Sequence, residues 1–249
     1  MPKVSHILTV NYFMMAISKQ FKKYHDDVVA RINSTSLAIP AQRRAFKQGF
    51  SFSKEPFESQ LEIWDHIWKQ SNSFRARVHA YFFLEQYVNK KDFHDQLWKT
   101  SSSWQEEIDD WPLCDGLAKI NSKILVSYPV EVYAVLARWN KHKDLWKRRQ
   151  SVVSLLYFSR TKKEYLPFSK IAAHVTPLLA DKEYYVQKGV GWTLREMYTV
   201  YPKETMPFLQ KHIKDISAIA FTIAIEKMSD AEKNKLKALR KQKTQIPNN

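Results

Sequence analysis

Glycine is scarce, at four residues in a chain of 249. That shortage removes the raw material for Gly-rich phosphate loops, hairpin-dense β-sandwiches and nucleotide-fold fingerprints, which depend on backbone only glycine adopts freely. A single cysteine, Cys114, excludes an internal disulfide and a multi-cysteine zinc site, and favours a reducing compartment, the cytoplasm of a bacterial-type cell. The longest apolar stretches, residues 7–17 and 216–225, fall short of the ~20 residues a spanning helix needs, so no membrane span is expected. Residues 1–20 lack a clear small-residue cleavage site and read as a first helix rather than a signal peptide. The eight histidines form no His-x-x-x-His pair, and no Gly-x-Ser-x-Gly, P-loop or kinase set occurs, so neither metal nor cofactor is expected. Cys114, beside Asp115 and without a local histidine, reads as a packed thiol rather than a nucleophile.

Acidic residues are also short: 25 against 40 lysines and arginines, a net charge of +15. The tail from Glu226 to Lys243 holds 7 basic and 3 acidic residues, so about +11 stays on the body. A basic body attracts polyanions by counterion release, nucleic acid before anionic membrane. With 44% hydrophobic and 14% aromatic residues the chain is globular, and with so little glycine it is mainly helical.

An aromatic residue opens successive helical patterns at Phe74, Trp111, Trp146 and Tyr185, spaced by 37, 35 and 39 residues. Each follows a polar turn and precedes an amphipathic segment, the pattern of stacked two-helix units in HEAT-like solenoids. Pro129, Pro167, Pro177, Pro202 and Pro207 fall at or near the helix junctions of that reading. No long linker interrupts the chain. The expectation is a single all-α domain over residues 1–249, with a basic helix or tail from about 229 to 249.

Helical phase then asks which side chains oppose the apolar stripes. From Trp111 to Leu125 the stripe is Leu113, Leu117, Ile120 and Ile124; Trp111 and Asp115, one turn apart, project from the other side. From Lys182 to Tyr198 the stripe is Val186, Val190, Leu194 and Met197; Trp192 projects opposite it, between Lys188 and Arg195. Gly189 and Gly191 in the same helix signal close approach by another helix or by a nucleic-acid backbone. Arg149 lies at the edge of the stripe formed by Leu145, Val152, Leu155 and Leu156. Periodicity leaves it two roles, pairing with a carboxylate inside the solenoid or clamping a phosphate. Arg43, Arg44, Lys141, Lys143, Arg160, Lys162 and Lys163 are individually ordinary charges that together supply a positive field.

Three stretches, Asp110-Trp111-Pro112-Leu113-Cys114-Asp115, Leu145-Trp146-Lys147-Arg148-Arg149 and Val186-Gln187-Lys188-Gly189-Val190-Gly191-Trp192-Thr193-Leu194-Arg195-Glu196, resemble in order and spacing the AlkD-like DNA alkylation repair glycosylases. Residues 39–44, Ile-Pro-Ala-Gln-Arg-Arg, are similar to a weaker signature of that family. The resemblance implies a right-handed α-solenoid of HEAT-like repeats with a concave basic face for duplex DNA. It implies excision of cationic alkylated purines such as 3-methyladenine and 7-methylguanine; a monomer without a cofactor is expected. Asp115 would be its catalytic carboxylate, Trp111 and Trp192 its two lesion-side aromatics, and Arg149 its phosphate-contacting arginine, with Arg148, Lys188, Arg195, Arg43 and Arg44 assisting DNA binding. One departure stands out, since residues 216–222 carry no arginine where many relatives have one. Two other classes fit the same pattern: a non-catalytic DNA-structure-binding protein of this fold, and a protein-interaction scaffold.

Overall fold

The computed structural model describes residues 21–157, 159 and 164–244. The expected first helix over residues 1–20, the cations Arg160, Lys162 and Lys163, and residues 245–249 of the tail lie outside that range. Among the described residues the regular structure is entirely helical: α1 (21–33), α2 (Ile39–Lys47), α3 (Phe57–Gln70), α4 (Phe74–Tyr87), α5 (His94–Ser103), α6 (Trp111–Ser127), α7 (Pro129–Asn140), α8 (Leu145–Leu156), α9 (Phe168–Val175), α10 (Tyr184–Val200), α11 (Pro202–Lys211), α12 (Ala218–Ala224) and α13 (Asp230–Thr244). Two compact units emerge, one within residues 1–89 and one within residues 90–249.

The first unit has an aromatic core. Phe50 and Phe52 stack at 5.7 Å, and both meet Trp64 edge-on at 5.3 and 5.2 Å. The turn that delivers Phe50 uses Gly49 at φ 80°, a backbone state a side chain would strain. His79 is sealed among these rings, with Nε2 held 2.9 Å from Gln42 Oε1. Burial beside Arg31 and Arg75 lowers its pKa to about 4.

The second unit is a stack of helical pairs. α6, α8, α10 and α12 pack on one another in succession, while α7, α9 and α11 flank them. The apolar stripes read from helical phase are the seams of this stack: Leu113 is 3% exposed, and Leu117, Ile120, Ile124, Val186, Val190, Leu194 and Met197 are wholly buried. The spaced aromatics open helices as expected. Phe74 and Trp111 are the first residues of α4 and α6, and Trp146 and Tyr185 the second residues of α8 and α10. Side-chain caps fix three of these starts, Ser73 accepting from the Ala76 amide at α4 and two aspartates at α6 and α8. Asp110 Oδ1 accepts from the Trp111 amide at 2.7 Å, and Asp144 Oδ1 from the Trp146 amide at 2.8 Å.

Pro207 differs from the junction reading, because it lies inside α11. It sits on the exposed side of that helix, where water can take the carbonyl that loses its intrahelical donor. The two glycines of α10 answer to helix packing. A Cβ at Gly191 would lie 2.8 Å from the Ala220 carbonyl oxygen and 2.9 Å from its Cα, so α12 rests directly on α10 there. A Cβ at Gly189 would lie 3.2 Å from Arg149 Cγ and from Val153 Cγ2 of α8.

Candidate functional site

Three inner helices of the second unit deliver the site. α6 supplies Trp111 and, one turn later, Asp115; α8 supplies Arg149; α10 supplies Tyr185, Lys188, Trp192 and Arg195. Together they line a half-open cleft of about 280 Å³, closed at one side by Ile223 of α12 and by Glu226 just beyond it. Trp111, Asp115 and Trp192 thus share one surface, away from the stripes that bury their own helices, as their helical phase anticipates. Trp111 is 48% exposed. Trp192 is half-buried, its ring 5.0 Å from that of Tyr157.

Asp115 is gripped by Arg149. Nη2 donates to Oδ1 at 2.8 Å and Oδ2 at 2.9 Å, Nε donates to Oδ1 at 3.0 Å, and Nη1 turns back to the Tyr185 carbonyl at 2.6 Å. Arg149 is itself only 4% exposed. Of the two roles that periodicity left open, the geometry fills the first, pairing with a carboxylate. Gly189 makes this possible, since a side chain there would push on the Arg149 stem. Burial pushes the Asp115 carboxyl above the usual aspartate range, against the opposing pull of Arg149 and of Lys188.

The other expected cations divide by what they touch. Lys188 is exposed at the cleft, with Nζ 5.3 Å from the centre of the Tyr184 ring. Arg195 reaches the cleft but is paired with Glu226. Arg148 points away from it: Nε and Nη2 hold Asp181 at 2.7 and 3.3 Å, and Nη1 donates to the carbonyls of His142 and Lys143. Those contacts tie α8 to the turn before α10. Arg43 and Arg44 belong to the first unit. Arg43 pairs with Glu85 and lies 4.3 Å over the Phe82 ring, and Arg44 is exposed. Cys114 is fully buried, and burial drives its thiol far above the usual range, as fits a packed residue.

Sequence patterning missed Tyr185 as a site residue, since it marked only the repeat, and missed Ile223 and Glu226 entirely. Tyr185 carried a usable signal, because like Trp111 it follows a polar turn at the start of an inner helix. Glu226 carried none, as its partner Arg195 is 31 residues away.

Comparison with known proteins decides the family. Residues 14–228 match the DNA alkylation repair enzyme family. The chain belongs to that family. Two solved structures share its fold. One is a predicted DNA alkylation repair enzyme from Enterococcus faecalis, 15% identical, with a TM-score of 0.59 over 78% of this chain and 87% of that one. The other is AlkD2 from Streptococcus mutans, also 15% identical, with a TM-score of 0.57 over 89% of this chain and 98% of that one. No curated protein matches the sequence. No helix among the described residues is long and apolar enough to cross a membrane.

Proposed function

We propose that this chain is a DNA glycosylase that hydrolyses the N-glycosidic bond of cationic alkylated purines, such as 3-methyladenine and 7-methylguanine, in duplex DNA. The observation that carries this reading is the meeting of Trp111, Asp115 and Trp192 in one cleft among Arg149, Lys188 and Arg195.

An alkylated purine already bears a positive charge, so it leaves without strong acid assistance. The glycosidic electron pair departs with the base and neutralises it, C1′ takes on oxocarbenium character, and a water oxygen bonds to C1′ while its proton passes to solvent. In this reading Asp115 stabilises that developing cation and orients the water, as carboxylates do in glycoside hydrolysis. The indoles of Trp111 and Trp192 offer negative ring faces to the cationic sugar and base, worth about 0.5–2 kcal/mol each. Arg149 orients the carboxylate, while Lys188 and Arg195 attract the backbone.

One observation favours the non-catalytic alternative: Arg149 engages both Asp115 oxygens. Incubating purified protein with methylated duplex separates the readings. The enzyme releases free 7-methylguanine or 3-methyladenine, detected by chromatography. A DNA-structure-binding protein retains duplex and releases no base, and a scaffold does neither.

A further inference from the structure

Arg195, a cation of the cleft, already holds an anion. Its Nη1 donates to Glu226 Oε2, and its Nε lies 3.8 Å from Glu196 Oε1, shielded from water without a hydrogen-bond acceptor. The two carboxylates differ in freedom. Glu196 is buried, held also by the Ser159 amide and hydroxyl and by Lys227 at 3.5 Å. Glu226 has a side chain 61% exposed, and Arg195 is the sole hydrogen-bond partner of its carboxylate among the described residues. It follows α12, the helix whose contribution to the cleft is the apolar Ile223 rather than a cation. The cleft is therefore basic along α8 and α10 and acidic at its α12 edge.

We propose that Glu226 stands in for a DNA phosphate on Arg195 and sets how well the cleft tells damaged duplex from ordinary duplex; this rests on the DNA-binding reading above. The Glu226 carboxylate occupies the outward edge of Arg195 in the free chain, and a backbone phosphate must displace it. An exposed ion pair contributes little, so the exchange is easy. Its balance depends on what enters the cleft. The released carboxylate lines the same small space as Trp192, and a cationic nucleobase offers it a new counter-charge. A neutral nucleobase leaves it opposed only by phosphate.

The test uses the full chain with Glu226→Gln, Arg195→Gln and both together. Fluorescence anisotropy reads binding to an unmodified duplex and to the same duplex methylated at guanine N7, across salt concentrations. Thermal melting confirms that each variant folds. Glu226→Gln tightens binding to unmodified duplex about fivefold, the size of one exposed ion pair. It tightens binding to methylated duplex less, and steepens the salt slope by about one unit. Arg195→Gln costs little in the native background and far more once Glu226 is neutral. Unchanged affinity in Glu226→Gln, or an Arg195→Gln cost equal in both backgrounds, overturns the role of Glu226 while leaving the DNA-binding reading intact. A native chain that retains no duplex overturns both.

Discussion

Arg149 and Asp115 meet edge to edge, with Nη2 bridging both carboxylate oxygens at 2.8 and 2.9 Å and the Tyr185 carbonyl closing the other side of the guanidinium. The acid group of the cleft is therefore held in one orientation before any ligand arrives.

Replacing Asp115 with Asn keeps the shape of this contact and removes the charge. Release of 7-methylguanine from methylated duplex should fall by about two decades or more, with duplex retention nearly unchanged. In the native chain the acid limb of the rate profile should lie above the ordinary aspartate range, because burial raises the Asp115 carboxyl and the reaction uses its ionised form. Excision at native speed by Asp115→Asn would remove the carboxylate from the mechanism.

Removing Arg149 strands a buried carboxylate. Arg149→Ala should destabilise the chain by about 3 kcal/mol in urea unfolding, and adding Asp115→Ala should restore much of that loss, because the cost lies in the uncompensated charge. An arginine whose main service is to DNA phosphate would instead lower affinity and the salt slope with little change in stability.

The two glycines of α10 should respond differently to alanine. At Gly191 the new methyl meets backbone of α12 at 2.8–2.9 Å, so the helices must part, at a cost of about 1–3 kcal/mol in the denaturant midpoint. At Gly189 it meets the Arg149 stem at 3.2 Å. There and at Val153 Cγ2 only side-chain atoms must give, by a few tenths of an ångström, so Gly189→Ala should cost less stability than Gly191→Ala while lowering excision through the displaced Arg149. Equal loss of stability at both positions would contradict this contrast.

His79 gives the first unit an acid sensitivity. An unfolded histidine takes up its proton near pH 6.5, whereas the buried ring waits until about pH 4. Between those values the unfolded chain binds more protons, so stability falls as pH falls, by up to about 3 kcal/mol. His79→Leu should flatten the dependence of the unfolding midpoint on pH across that window. A parallel curve would place the acid sensitivity elsewhere.

Much of the second unit was legible in sequence because its helices are amphipathic with a clean period, and because Trp111, Asp115 and Trp192 break that period by facing away from the stripe. The pairing of Arg149 with Asp115 was not, since the partners lie 34 residues apart and helical phase carries no information across repeats. Arg148 shows the same limit. Beside Arg149 it reads as one more cation for DNA, but its carboxylate partner Asp181 sits in the turn one repeat onward. The glycines announced close approach without saying what approached, and only the packing of α8 and α12 on α10 answers that.

The aromatic that opens each inner helix has a further consequence. Trp146 and Tyr185 cover one another with rings 5.0 Å apart, sealing the seam between neighbouring repeats. Trp111 holds the equivalent place in α6 and has no ring upon it among the described residues. The indole that would seal such a seam is therefore left open at the cleft. A substitution that laid another ring over Trp111 would close the mouth of the cleft on its α6 side.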